Sequence, residues 1–331
     1  MREVENLGAA SVRPTAPDRE MLEAASTRLT QRLGLLVENS WDVVGRFDRS
    51  RSTVFRLRNS STNPGVQIFY KAYIISGGKG SSRSGRIQRV RQALLVESQL
   101  AGELGPALAE ECIHFDEPLA LDPERLVAVR MSVSGKQLGK ALSYAMPGQR
   151  NQGRYIYRKV GLALRIIEGV GSQRPPPSSA RVEHEILKNL DSSARYLTGS
   201  QRTRLEKLIA LYLEAVDIDE ALVWTHGDAS QSNILKNGKC IGVIDFTWSP
   251  KLRCSDLTQL VVRLETEAPR SPRWTTAMCR EVMDGFGIDP EDPGYAWRLA
   301  YLDTAIRAIR RKRPRVQSWG KNALDQLGVG A

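Results

Sequence analysis

Residues 222–246 read LVWTHGDASQSNILKNGKCIGVIDF, and the organisation of the chain is read outward from them. Two apolar runs, Leu222 to Trp224 and Ile241 to Ile244, flank a polar loop. Along it stand His226, Gly227, Asp228 and Asn233, with Asp245 at the end of the second run. Asn237-Gly238 is a strong local signal for a tight return between two strands. A hairpin there brings Asn233 and Asp245 close. An amide oxygen and a carboxylate held together suit a hard cation such as Mg²⁺, which takes oxygen ligands and leaves other positions to water and phosphate. Asp228 precedes Asn233 by five positions. The aspartate can then face an acceptor while the asparagine faces the metal, the division of labour that phosphoryl transfer needs. Asp, Asn and Gly are also ordinary turn residues, so the weight rests on the whole constellation.

The order H-G-D-x-x-x-x-N followed by I-D-F resembles the catalytic core of the aminoglycoside phosphotransferase and choline kinase family, relatives of the eukaryotic protein kinases. The resemblance implies an α+β, bilobal, protein-kinase-like fold. A small antiparallel-sheet N-lobe would precede a larger, mainly helical C-lobe, with ATP between them. It implies Asp228 as the catalytic residue and Asn233 and Asp245 as ligands of Mg²⁺. His226 is expected to hold the loop rather than to act as the base. Asp256, in Ser255-Asp256-Leu257, is expected to brace the loop from the next helix, and a simple helix cap is compatible with the same position. The protein-kinase lysine two places after the catalytic aspartate is replaced by Ser230, and Thr247 stands where protein kinases have glycine. The expected acceptor is therefore a small molecule with a hydroxyl: a sugar, amino alcohol, aminoglycoside or related metabolite.

Asp18 is placed to cap a helix running to about Leu36, with Leu22, Ala25, Leu29, Leu33 and Leu36 at helical spacing. Residues 41–47, 53–58 and 66–75 read as strands. The turn between the first two holds one glycine, Gly45, and carries Ser50, Ser52 and Thr53 as candidate donors to phosphate. A plain hairpin turn is an equal reading. The third strand, Val66-Gln67-Ile68-Phe69-Tyr70-Lys71-Ala72, places a lysine among apolar residues, where an ammonium needs an anion. Lys71 matches the family's ATP lysine, which contacts the α- and β-phosphates and pairs with a helix glutamate. Glu97, on a helix expected over 86–104, is its assigned partner, and Glu103 is the competing candidate. Residues 77–85 form a Gly/Ser-rich loop. Residues 132–138 resemble the family's inter-lobe hinge and the short segment after it, and adenine is expected to meet the backbone around Arg130–Ser132, with Met131 at the centre.

Composition sets outer bounds. The 331 residues suffice for two lobes, read as 41–131 and 132–331 after an N-terminal extension, 1–40, with one helix. No apolar run approaches the roughly 20 residues of a membrane helix, and the first residues lack the apolar core of a secretory signal. A cytoplasmic location is the expectation. The four cysteines form no C-x-x-C pair, so no zinc site and reduced thiols are expected. A net charge of +11 favours anionic partners, ATP among them, and argues against a polycationic acceptor.

Two other classes of function compete with this reading. A catalytically silent nucleotide-binding module would keep the fold without turnover, yet every usual catalytic position is present. A nucleic-acid-binding protein would account for the charge, but aromatics are 6% of the chain and the one basic cluster is 307–315. Nucleic acid is not an expected partner; contact of 307–315 with an anionic surface is the sharper reading of that run, and a solvated helix end the simpler one. Helices are expected over 155–167, 181–197, 201–215, 274–285 and 295–311. Asp284, Asp289, Glu291, Asp292 and Asp303 lie in the region where the resembled family binds its acceptor.

Overall fold

The computed structural model describes residues 13–49, 51–62, 65–75, 83–142, 150–174, 180–217, 221–267 and 272–329. Ser50 and most of the 77–85 loop lie outside these residues. The chain forms two compact units, Met1–Pro106 with Phe115–Ser134, and Ala107–His114 with Gly135–Ala331.

The first unit opens on α1 (Arg19–Leu33). The Asp18 carboxylate accepts the N–H groups of Glu20 and Met21 at 2.9 and 3.4 Å, satisfying donors that have no partner within the helix. The helix stops three residues short of the expected Leu36. Gly34 takes the left-handed conformation at φ 65 and its N–H turns back to Thr30, so Leu33 ends the helix, Leu36 falls outside it, and both side chains are exposed. A five-stranded antiparallel sheet follows in the order β1-β2-β3-β6-β5. Its strands are β1 (Trp41–Asp48), β2 (Ser52–Asn59), β3 (Gln67–Tyr73), β5 (Pro118–Asp122) and β6 (Val127–Met131).

Alternation along these strands makes two faces. Phe55, Leu57, Ile68, Tyr70, Val127 and Val129 pack with Met21, Leu22, Ala25 and Leu29 of α1. Phe69, Lys71 and Tyr73 belong to the other face of β3. Helix α2 (Arg83–Ala109) is longer than the expected 86–104 and runs through Pro106. Leu94, Glu97, Leu100 and Leu104 are all buried, so the glutamate stands on an otherwise apolar stripe.

The second unit contains a four-stranded sheet in the order β4-β10-β9-β7 and a strand pair, β11-β8. These strands are β4 (Ile113–Phe115), β7 (Lys136–Gln137), β8 (Leu222–Thr225), β9 (Ile234–Asn237), β10 (Cys240–Val243) and β11 (Ser249–Leu252). The helices are α3 (Leu138–Leu142), α4 (Arg150–Gly171), α5 (Ala180–Ser193), α6 (Gly199–Ala215), α7 (Ser255–Glu267), α8 (Pro272–Phe286), α9 (Gly294–Ala308) and α10 (Pro314–Gln326). Their core includes Tyr157, Val160, Leu164, Ile167, Leu257, Leu260, Leu264, Val282, Leu299 and Ile306. Helix α10 has no counterpart in the sequence reading, although Pro314 at its first turn is a start signal.

The cysteines depart from expectation. Cys112 and Cys240 form a disulfide with a Cα–Cα distance of 5.3 Å, while Cys254 and Cys279 are free and buried. The two bonded residues lie 128 positions apart. They meet because the turn before β4 and the start of β10 are neighbours in one sheet, which sequence spacing does not reveal. Among the described residues, no helix is long and apolar enough to cross a membrane.

Candidate active site

In the first unit, Lys71 lies on a central strand, opposite Val54 on β2 and Ala128 on β6. Its ammonium stands 4.8 Å from the centre of the Tyr73 ring, a cation–π contact. Glu97, its expected partner, has 4% exposure and accepts from Arg130 Nη2 at 2.7 Å. Arg130 Nη1 donates to Asp116 at 3.3 Å. A buried guanidinium thus ties α2 to β6 and to the segment before β5. The sequence reading used Arg130 only for its backbone and did not name Asp116.

The candidate phosphate donors fall unequally. Ser52 is buried opposite Tyr73. Thr53 is fully buried opposite Ala72, and its hydroxyl donates to Asp48 at 2.8 Å. Its one hydroxyl hydrogen is thereby committed within the strand pair. Along the backbone expected to meet adenine, the Met131 N–H donates to Glu117 O at 2.9 Å and the Ser132 N–H to Gln67 O at 3.1 Å. Both expected backbone donors are therefore used by the sheet, and a base meeting this segment is left its carbonyls or donors beyond Ser132.

In the second unit, the loop after β8 is fixed by its own backbone. His226 is buried, and its ring lies 4.4 Å from that of Phe246. The Asp228 N–H donates to His226 Nδ1 at 3.2 Å, so Nε2 carries the ring hydrogen and donates to Ile244 O at 3.0 Å. The imidazole therefore spans from the loop to the residue that follows β10. Gly227 has φ 91, and a side chain there would overlap Thr247 and Ser249. Its N–H donates to Asp256 at 2.8 Å and its carbonyl accepts from Lys251 Nζ at 2.7 Å. Lys251 also pairs with Asp256 at 2.9 Å. Burial pushes the Asp256 carboxyl up, but the Lys251 charge and the donated bonds outweigh it and hold the group below its ordinary value. Asp256 stays ionised at the first turn of α7, where the helix dipole also favours a negative charge.

The hairpin has the predicted form, with Asn237 opposite Cys240 and Ile234 opposite Val243. The Ile244 N–H donates to Asn233 O at 2.9 Å and closes its base, with Asn233 and Asp245 at its two ends. Asp245 has φ 64, a left-handed backbone that Asp tolerates better than most residues. Asn233 Nδ2 donates to Asp228 O at 2.9 Å and to Asp228 Oδ2 at 3.3 Å. This turns the asparagine oxygen to the opposite side of its amide.

Asp228 is held from a second element as well. Arg263 Nη2 donates to its Oδ1 at 2.9 Å and Gln259 Nε2 at 3.3 Å, both from α7. Asp256, Gln259 and Arg263 form one stripe of that helix. Gln259 and Arg263 escaped the sequence reading; polar residues at helical spacing after the I-D-F element are the signal that carried them. The carboxylate is 43% exposed, so it is oriented by three donors yet open to a solute.

The basic run at 307–315 divides. Arg307 pairs with Asp303 at 2.9 Å and Arg310 donates to Asn189 at 2.7 Å, while Arg311, Lys312, Arg313 and Arg315 are exposed.

The sequence matches the model of the phosphotransferase enzyme family (APH) over residues 90–282. No curated protein matches it. Among solved structures, the choline kinase of Cryptosporidium parvum Iowa II is 12% identical with a TM-score of 0.51, covering 94% of this chain and 95% of that one. The amicoumacin kinase hAmiN, solved with AMP-PNP, Ca²⁺ and amicoumacin, is 12% identical with a TM-score of 0.51, covering 94% and 97%. These likenesses concern the fold, which is protein-kinase-like. The family match runs from α2 to α8 and takes in more than half of the sequence, including the loop and hairpin just described; the chain belongs to the phosphotransferase enzyme family, as an ATP-dependent kinase of small molecules.

Proposed function

We propose that Asp228 orients and deprotonates a hydroxyl on a neutral or anionic small molecule, and that Asn233 and Asp245 hold Mg²⁺ with the nucleotide. The observation that carries this reading is the Asp228 carboxylate, gripped by Asn233, Gln259 and Arg263 and still open to a solute. Fixed orientation of a carboxylate beside the attacking oxygen is what a phosphoryl transfer asks of the protein. The acceptor oxygen bonds to the γ-phosphorus, the bridge to the β-phosphate breaks, ADP leaves, and the hydroxyl proton passes to an Asp228 oxygen. In a loose transition state that proton moves late, so a strong base is not needed.

The residues at the hairpin ends fit a hard cation by chemistry. Asn233 offers an amide oxygen turned from Asp228, and Asp245 offers a carboxylate. Mg²⁺, when bound, offsets negative charge on the phosphate oxygens. On the nucleotide side, Lys71 takes the α- and β-phosphates, with Glu97, itself anchored by Arg130, as its partner. Ser50 and Ser52 belong to the phosphate-covering turn, and the strand end at Met131 meets adenine through groups other than the Met131 N–H. His226 and Asp256 hold the loop.

Arg263 speaks to the acceptor. A guanidinium at 2.9 Å from the catalytic carboxylate repels a polycation and attracts an acceptor whose hydroxyl neighbours a carboxylate or phosphate. The test is ADP release with Mg²⁺ against sugars, sugar phosphates, amino alcohols and aminoglycosides, with Asp228→Asn beside the wild type. Turnover with neutral or anionic acceptors is expected, falling by about 10²–10⁴ in the variant. Turnover with aminoglycosides alone would overturn the acceptor class. Turnover that survives in Asp228→Asn would remove the aspartate from the mechanism.

A further inference from the structure

Away from the loop, Cys112, His114 and Cys240 bring two sulfurs and a ring nitrogen within 4.8 Å of one another. Cys112 closes the turn after α2, its N–H donating to Ala109 O at 2.9 Å. His114 is on β4, and Cys240 begins β10, the neighbouring strand of the same sheet. A disulfide needs only the two cysteines. The third ligand-type side chain, exposed and on the adjoining strand, is what a plain crosslink leaves unexplained.

We propose that Cys112, His114 and Cys240 form a zinc site that is closed by the disulfide and opened by thiol reduction. Two thiolates and an imidazole suit Zn²⁺, whose preferred ligands are sulfur and nitrogen, and do not suit Mg²⁺ or Ca²⁺. Three protein ligands leave the fourth tetrahedral position to water. The rigid part of the site exists already, since β4 and β10 are hydrogen-bonded neighbours in one sheet. The chemistry balances with a dithiol as reductant. Thiol–disulfide exchange moves two electrons and two protons onto the Cys112–Cys240 pair and leaves the dithiol oxidised. Zn²⁺ then displaces the two thiol protons and takes a lone pair from neutral His114. A small-molecule disulfide reverses the step: it takes two electrons from the zinc-bound thiolates and, with two protons from water, leaves as a dithiol, while the Cys112–Cys240 bond re-forms and the metal is released. The site is independent of the kinase reading, because none of its three side chains belongs to the machinery assigned to phosphoryl transfer.

The test uses the full chain and Zn²⁺ alone. Wild-type protein, reduced and freed of reductant under anaerobic conditions, is titrated with Zn²⁺ against a chromophoric chelator, beside the oxidised protein. Co²⁺ in place of zinc reports thiolate ligation and tetrahedral geometry by its absorption. One equivalent should bind to the reduced chain and none to the oxidised chain. Cys240→Ser and His114→Ala should each weaken binding roughly tenfold or more, since even loss of an outer contact to a ligand has that effect. His114 is exposed, so its replacement leaves the core intact and both thiols present. Absence of stoichiometric zinc in the reduced wild type, or equal affinity in His114→Ala, would overturn the proposal. Should reduction unfold the chain, refolding on addition of Zn²⁺ supports the site, and failure to refold counts against it.

Discussion

Arg130 lies in an apolar strand with 3% of its side chain exposed, and it pairs with two carboxylates. A cation in an apolar strand must meet an anion, and Arg130 is under that constraint as Lys71 is. The run Leu126-Val127-Ala128-Val129-Arg130-Met131 displays it plainly. What the run does not display is that β6 sits between β3 and β5, so that the arginine is enclosed and Glu97 and Asp116 are within its reach. Arg130→Met keeps the bulk and removes the charge. Removing one partner of a buried ion pair costs about 3–5 kcal/mol. The expected outcome is a lower urea midpoint with an unchanged slope, partly restored when Glu97→Gln and Asp116→Asn are added. An unchanged midpoint would mean that other groups neutralise both acids. Thr53 shows the opposite limit. A serine and a threonine in a row look equivalent as phosphate donors, but successive residues of a strand face opposite ways, and Thr53 shares the face of Ala72.

Helix α7 was readable at its first turn and unread beyond it. Asp256 follows the I-D-F element by a spacing that the family resemblance carries, whereas Gln259 and Arg263 are two polar residues on a helix, which more often means a solvated face. Only the fold shows that one stripe of α7 supplies a brace at Gly227 and two donors at Asp228. A hydrogen bond to a charged group contributes about 1.5–3 kcal/mol. Arg263→Ala should therefore lower kcat/KM by roughly ten- to a hundredfold for an anionic acceptor, with the KM for ATP little changed. Steady-state kinetics with an anionic and a neutral acceptor separate two roles. A larger fall for the anionic one marks acceptor recognition, and equal falls mark orientation of Asp228 alone. The hairpin of β9 and β10 was the best-read element, because Asn237-Gly238 fixes both the turn and the register. Helix α10 was missed because its apolar positions are few and its start lies inside a basic run.

At the scale of the molecule, what the sequence disclosed is the part where chemistry restricts residue types, and what it withheld depends on distant segments meeting. The Cys112–Cys240 bond is one such meeting, and Glu168 is another. This α4 residue is buried, and both its oxygens accept the Cys254 N–H at 3.0 Å. Burial pushes its carboxyl from the ordinary 4.5 up to about 8, against the pull of that N–H. The folded chain then keeps a proton that the unfolded chain releases. The stability it confers is full below 4.5 and is lost as the pH rises to about 8. Over that window the loss amounts to a few kcal/mol at most. Glu168→Gln keeps an acceptor for Cys254 and removes the titration, so its unfolding midpoint should be flatter with pH than that of the wild type. Parallel curves for the two proteins would show that Glu168 is ionised throughout.

The path of the chain has a separate consequence. The larger unit takes residues 107–114 from the middle of the smaller one, before the chain returns to lay down β5 and β6. A fragment beginning at Gly135 would lack β4 and leave β10 as a bare sheet edge, open to pairing with another chain. A fragment ending at Pro106 would lack two of the five strands of its sheet. No single crossover in the gene keeps both units whole. Recombination between relatives that exchanged one whole unit would need three breakpoints, on either side of 107–114 and again before Gly135.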